Sequence, residues 1–294
     1  MRLFFKLSLF SVGASAAFGQ ASVLFVGNSF TLGHDTPTIG YNHDAITDVN
    51  GRHPGGVPGI FKKLTVQAGL SVNVSIEAAG AKALAYHLDQ KSALIGGSKW
   101  DTVVLQEQST EPLPADHGGH PVAFQQSADA LQDMILAKNP KARVIIYGTW
   151  ASPASAKSQR YGDNLQAMQK DLREAFRHLQ ARSARTPGKP DYFAVAPVGD
   201  AFMRAVELGY ADPDPSDGIS AGLFYLWDSD NRHAGKYGSY LAAAVFFGKI
   251  TGIDPRTLGA GEGTAAADFG ISPVVAKQLH QIAYDIDTPA ANKH

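Results

Sequence analysis

The sequence predicts a three-layer α/β/α sandwich built on a mostly parallel sheet. Three observations predict it. Short apolar runs alternate with longer segments of helical period, the pattern of repeated βαβ units. The apolar runs are continuous, as strands buried on both faces are, instead of alternating with polar residues. Of the 294 residues, 44% are hydrophobic and 18% charged, enough apolar side chain for a full core. No internal repeat or interdomain linker divides the chain, so residues 20–294 read as one domain.

The elements follow in order. Ser22 to Val26 is a buried strand stopped at Gly27. The segment 58–70 places Ile60, Leu64 and Ala68 on one helical face. A second strand, Val72 to Ile76, ends near Gly80, and Lys82 to Leu94 follows as a helix. Asp101 to Leu105 is a third strand. Gln125 to Lys138 is a helix with Ala128, Leu131 and Ile135 inward, stopped by Asn139 and Pro140. Arg143 to Tyr147 is a fourth strand, and Ser158 to Arg182 reads as one long amphipathic helix. Tyr192 to Val195 is a fifth strand, followed by helices near Asp200 to Leu208 and Gly235 to Thr251. Two segments lack a regular pattern: His34–Gly56 and Glu111–Pro121, after the first and third strands. Loops at the carboxyl ends of parallel strands line the ligand crevice, and both occupy that edge.

Composition removes several function classes. Lys plus Arg is 26 and Asp plus Glu is 27, without the basic excess that a phosphate backbone requires, so no nucleic-acid partner is expected. The chain has no cysteine, which excludes disulfides, thiolate nucleophiles and cysteine-ligated metals. At the start, Arg2 and Lys6 flank and enter an apolar run, Leu3 to Phe10, before small residues and Ala17-Phe18-Gly19. Residues 1–19 therefore read as a bacterial secretory signal peptide, and the mature protein is expected to be secreted or periplasmic. The apolar run is far shorter than the roughly 20 residues that span a bilayer, so no stable membrane insertion is expected.

Chemistry gathers at two places. Gly27-Asn28-Ser29 closes the first strand, where a serine hydroxyl enters the crevice and local N–H groups can surround a developing anion. A nucleophilic serine also needs a base and a group that orients it. Asp230 and His233 lie three residues apart in Trp227-Asp-Ser-Asp-Asn-Arg-His233, a spacing that lets the carboxylate meet one imidazole nitrogen.

These blocks, in their order and positions, resemble the SGNH hydrolases, the GDSL-type esterases. Gly27-Asn28-Ser29 resembles the nucleophile block, with Asn28 where the family has Asp. Gly80 stands for the second-block glycine, and Asp230-Asn-Arg-His233 for the final block, followed by Gly238 and an apolar helix. The third block departs: where the family has Gly-x-Asn-Asp, this chain has Leu105-Gln106-Glu107-Gln108-Ser109, resembling a secreted branch with Gln in place of the Asn. The resemblance spans residues 22–251. It implies a flavodoxin-like sheet of order 2-1-3-4-5 and a metal-free serine ester hydrolase. Ser29 is then the nucleophile, His233 the base and Asp230 its orienting carboxylate. The oxyanion hole falls to the N–H groups of Ser29 and Gly80 and a side-chain amide of Gln106 or Gln108. Gln108 is favoured because it lies further past the strand end.

Asn28 and Trp150 are candidate substrate contacts. Trp150, after the fourth strand, is read equally as a sugar-stacking ring or as packing. His34, His43, His53, His117 and His120 lack a compact ligand spacing, so neither metal nor cofactor is expected. The implied substrate is a small acyl ester or acylated glycan, with acetyl on an extracytoplasmic polysaccharide the expected case. A lipase or lysophospholipase, or a non-catalytic glycan-binding member, is the alternative.

Overall fold

The structure, a computed structural model, describes residues 21–183, 193–214 and 217–287. The leader expected at residues 1–19 and Tyr192 of the fifth predicted strand lie outside them. The chain opens with β1 (Ala21–Gly27), α1 (Ser29–Leu32), α2 (Thr36–Ile39), β2 (Thr47–Asp48) and α3 (Gly56–Gln67). It continues through β3 (Val72–Ala78), α4 (Leu84–Ile95), β4 (Thr102–Leu105), α5 (Pro121–Lys138) and β5 (Arg143–Tyr147). Then come α6 (Pro153–Ser158), α7 (Leu165–Ser183), β6 (Phe193–Ala196), α8 (Val198–Glu207), α9 (Lys236–Thr251), α10 (Ala265–Asp268) and α11 (Pro273–Asp287).

The six strands form one parallel sheet of order β2-β3-β1-β4-β5-β6. Without β2, the five longer strands follow the expected 2-1-3-4-5 order. The segment expected to be irregular, His34–Gly56, in fact folds α2, a single 3₁₀ turn at His43–Ala45 and the edge strand β2. The predicted helix at 158–182 is a second correction. The helix there starts only at Leu165, because Arg160, Gly162 and Asp163 adopt positive φ after the short α6 ends at Ser158.

Helices cover both faces. On one, α4 packs on α5, and Phe124 of α5 meets Phe176 of α7 edge-on, the rings 6.0 Å apart. On the other, Phe25 of β1 lies between Phe61 of α3 and Phe246 of α9, the centroids 5.5 and 5.3 Å away. α9 is buried from Gly238 to Phe247, an apolar surface on every side, which only an interior helix can carry. α11 supplies its outer cover, packing on α9 and α8. Among the described residues no helix is long and apolar enough to cross a membrane.

Candidate active site

The site forms where β1 ends between its neighbours. β1 is central, so the chain leaving it is flanked by the exits of β3 and β4. Val26 pairs with Glu77 on one side and Leu105 on the other. Ser29, Gly80 and Gln108 each lie three residues beyond that paired trio, so the register carries all three to one edge.

Asn28 turns the chain there. It caps α1 by accepting the Phe30 N–H through Oδ1 (3.1 Å), and its Nδ2 donates to the Lys82 carbonyl (2.9 Å). The serine turn is thereby tied to the loop carrying Gly80. Below it, the wholly buried Gln106 amide accepts from the Asn28 N–H (2.8 Å) and the Thr31 hydroxyl (3.0 Å). Its Nε2 donates to Asn28 Oδ1 (2.9 Å) and the Glu107 carbonyl (2.5 Å). Gly27 is required above this amide, since a Cβ there would stand 2.4 Å from Thr31 Oγ1 and 2.6 Å from Gln106 Oε1.

Ser29 is half-buried, and its Oγ lies 2.8 Å from His233 Nε2. The other ring nitrogen, Nδ1, lies 2.5 Å from Asp230 Oδ2. Asp230 Oδ1 also accepts the N–H groups of Arg232 and His233, each at 2.9 Å. Burial works against the Asp230 charge, but these hydrogen bonds outweigh it and hold the carboxyl below its ordinary range. The N–H groups of Ser29 and Gly80 donate to no acceptor among the described residues. Gln108 is half-buried; its Oε1 takes the Thr110 N–H and hydroxyl, both at 2.9 Å. Its Nε2 has no acceptor among the described residues.

Three expectations are corrected. Gln106 has no donor to spare for an oxyanion, because every polar atom of its amide is committed to the turn. Asn28, only 3% exposed and equally committed, offers nothing to a substrate. Trp150 is fully buried, stacked between Phe30 and Phe202 at 4.2 and 4.7 Å, and no sugar can reach it. Its Nε1 donates instead to the Arg232 carbonyl (2.9 Å), pinning the loop before His233. Gly80 keeps its place for a different reason: a Cβ there would meet open space, so closeness to other protein atoms does not demand glycine.

Spacing alone missed His34. Its Nδ1 lies 2.6 Å from Asp228 Oδ2, and its ring stacks on His233 at 4.3 Å with 6° between the planes. The Gly33-His34-Asp35 stretch after α1 carried no signal of this, because the partner is 194 residues away. His34, Asp230 and His233 bring possible ligand atoms within 4.8 Å of one another. Lone pairs lie in their ring planes, however, and the two planes here are nearly parallel, so they do not converge on an ion. His117 and His120 pair separately with Asp171 and Glu111, each at 3.1 Å.

No protein-family model matches the chain, and no curated protein matches it. Solved structures do. One is a protein of Slackia heliotrinireducens assigned as an SGNH hydrolase, 25% identical, at a TM-score of 0.54 over 79% of this chain and 100% of that one. A DUF4886 family protein from Bacteroides uniformis matches at a TM-score of 0.60 over 91% of this chain and 94% of that one, at 16% identity. A carbohydrate esterase family 3 structure from Talaromyces cellulolyticus matches at 0.51 over 79% and 97%, with 13% identity.

Proposed function

We propose that this chain, an SGNH hydrolase of the GDSL superfamily by fold and structural likeness, hydrolyses esters through Ser29, His233 and Asp230. One observation carries the reading: an unbroken hydrogen-bonded path from the Ser29 hydroxyl through both nitrogens of His233 to the Asp230 carboxylate. In this path Ser29 Oγ attacks the ester carbonyl while His233 Nε2 takes its proton. Asp230 fixes the tautomer with the proton on Nδ1 and balances the imidazolium that forms. The carbonyl oxygen gains charge toward the N–H groups of Ser29 and Gly80 and the Nε2 of Gln108, three donors at one sheet edge. His233 then protonates the departing alcohol. Water, deprotonated by the same nitrogen, releases the acid and restores the Ser29 hydroxyl.

The substrate we infer is a short acyl ester, with acetyl on an extracytoplasmic glycan the leading case. The leader-like residues 1–19 support an exported enzyme. Exposed His34, Lys82 and Arg232, all polar, border the turn and its neighbours, which suits a polar alcohol better than a fatty chain. Labelling with a fluorophosphonate tests the mechanism. It is expected to mark Ser29 alone, and Ser29→Ala is expected to fold normally and lose activity on p-nitrophenyl acetate to near background. Labelling at another residue, or full activity in the variant, removes the triad. A panel of aryl esters of increasing acyl length beside acetylated glycans then decides the substrate.

A further inference from the structure

The turn before His233 holds two carboxylates that each address an imidazole. Asp230 meets His233, and Asp228, two residues earlier, meets His34. The loop is tightened by Asp228 N–H donating to the His233 carbonyl (2.7 Å) and Asn231 N–H donating to the Asp228 carbonyl (2.8 Å). The two His–Asp pairs are thus locked side by side, their rings nearly parallel and 4.3 Å apart. His233 also meets Phe30 edge-to-face, the centroids 5.4 Å apart at 76°. Only the first pair faces a nucleophile. His34 Nε2 has no acceptor among the described residues and its side chain is 44% exposed.

We propose that His34, carried by Asp228, is a positioning residue that holds the plane of His233 and, through its charge, makes the protonated His233 a better proton donor to the leaving alcohol. The inference rests on the reading of Ser29 and His233 as nucleophile and base. The charged groups facing His34 are Asp228 at its Nδ1, with Asp230 and Asp35 nearby, all acidic. The Asp228 hydrogen bond, first among them, raises its proton affinity against the pull of burial. A charged His34 stands parallel to the imidazolium that forms on His233 during attack, 4.3 Å away across the stack. The proton on that imidazolium is held less firmly. The cost is a weaker base toward Ser29; the gain is a stronger acid at the moment the alcohol departs. That exchange suits an unactivated alcohol, as in a sugar or alkyl ester, which cannot leave without a proton. In the acylation step an aryl ester, whose phenolate leaves unaided, gains nothing from it.

The test compares His34→Phe, which keeps a flat ring without charge, with the parent enzyme. His34→Gln is the second variant should the first misfold. The acid limb of kcat/KM on p-nitrophenyl acetate is expected to move upward by about one pH unit, because His233 now binds its proton without a neighbouring cation. The loss of kcat/KM, which reports acylation, is expected to be about tenfold larger on ethyl acetate than on p-nitrophenyl acetate. An unmoved limb, or equal losses on the two esters, overturns the proposal. If the parent hydrolyses neither ester and Ser29 resists fluorophosphonate, the hydrolase reading fails by itself. NMR titration of the imidazole Cε1 protons then decides the pair: His233 titrating at the same pH with and without His34 overturns it, and an upward move in the variant supports the coupling.

Discussion

At the residue scale, the two glutamines of the third block divide structure from chemistry. Gln106 and Gln108 share a face of an extended segment, and sequence alone distinguishes them only by distance past the strand end. The difference is one of commitment. The Gln106 amide has four hydrogen-bond partners under the serine turn, whereas Gln108 Nε2 has no acceptor among the described residues. Gln106→Ala would strand the Asn28 N–H and the Thr31 hydroxyl in a dry interior, so it is expected to cost about 2–4 kcal/mol of folding stability by urea titration. Gln108→Ala is expected to leave stability nearly intact and to lower kcat by on the order of 10²-fold, with a smaller change in KM. A large stability loss at Gln108, or an undiminished kcat, would move the amide's role from the oxyanion to the loop.

At the element scale, the site depends on how β1 ends. Gly27→Ala would push a methyl group into Thr31 and Gln106, the two side chains that brace the turn. We expect it to cost about 1–3 kcal/mol and to lower kcat in parallel, as the Ser29 hydroxyl shifts from His233. Thermal melting beside ester hydrolysis checks both; a stability loss with unchanged kcat would show that the turn tolerates the shift. The same elements show what sequence could convey. All five long strands were legible, since short runs rich in Val, Ile, Leu and Phe between helical segments have few other readings. The hydrogen-bonded cluster of Ser29, His233 and Asp230 was legible because its residues sit in blocks with a known order. β2 was not, having two residues and no pattern. The break before α7 had a signal in Gly162, but the long amphipathic period of the following residues masked it. α11 lay beyond the reach of the family resemblance, although its apolar face closes the core over α9. Trp150 was ambiguous because a strand-end tryptophan faces crevice or core according to a stacking partner, Phe202, that lies 52 positions on.

At the scale of the whole molecule, two buried groups, one just past β4 and one on α11, give stability contrary dependences on pH. Glu107 lies between the two glutamines, 3% exposed. Burial pushes its carboxyl up to about 7, although the N–H groups of Gln108 and Leu84 pull it back. The native state therefore holds this proton more tightly than the unfolded chain does, and its contribution to stability is lost as pH rises from about 4.5 to about 7. His280 of α11, 1% exposed and 2.7 Å from the Tyr240 hydroxyl of α9, is pushed down to about 4 by burial. There the unfolded chain holds the proton more tightly, so stability is lost as pH falls from about 6.5 to about 4. Each shift corresponds to about 3 kcal/mol, and between pH 4.5 and 6.5 the two slopes oppose each other. Removing either group should unmask the other. Glu107→Gln retains an acceptor for both N–H groups without the charge, and is expected to gain on the parent by about 3 kcal/mol between pH 4 and pH 8. His280→Leu pays a constant cost for the stranded Tyr240 hydroxyl, yet is expected to gain on the parent by a similar amount as pH falls from 7 to 4. Urea titrations of the three proteins across that range read the differences directly. A gap between variant and parent that does not change with pH would mean that the group in question keeps its ordinary proton affinity in the folded chain, and that water reaches it where the packing of α4 or α11 leaves no room.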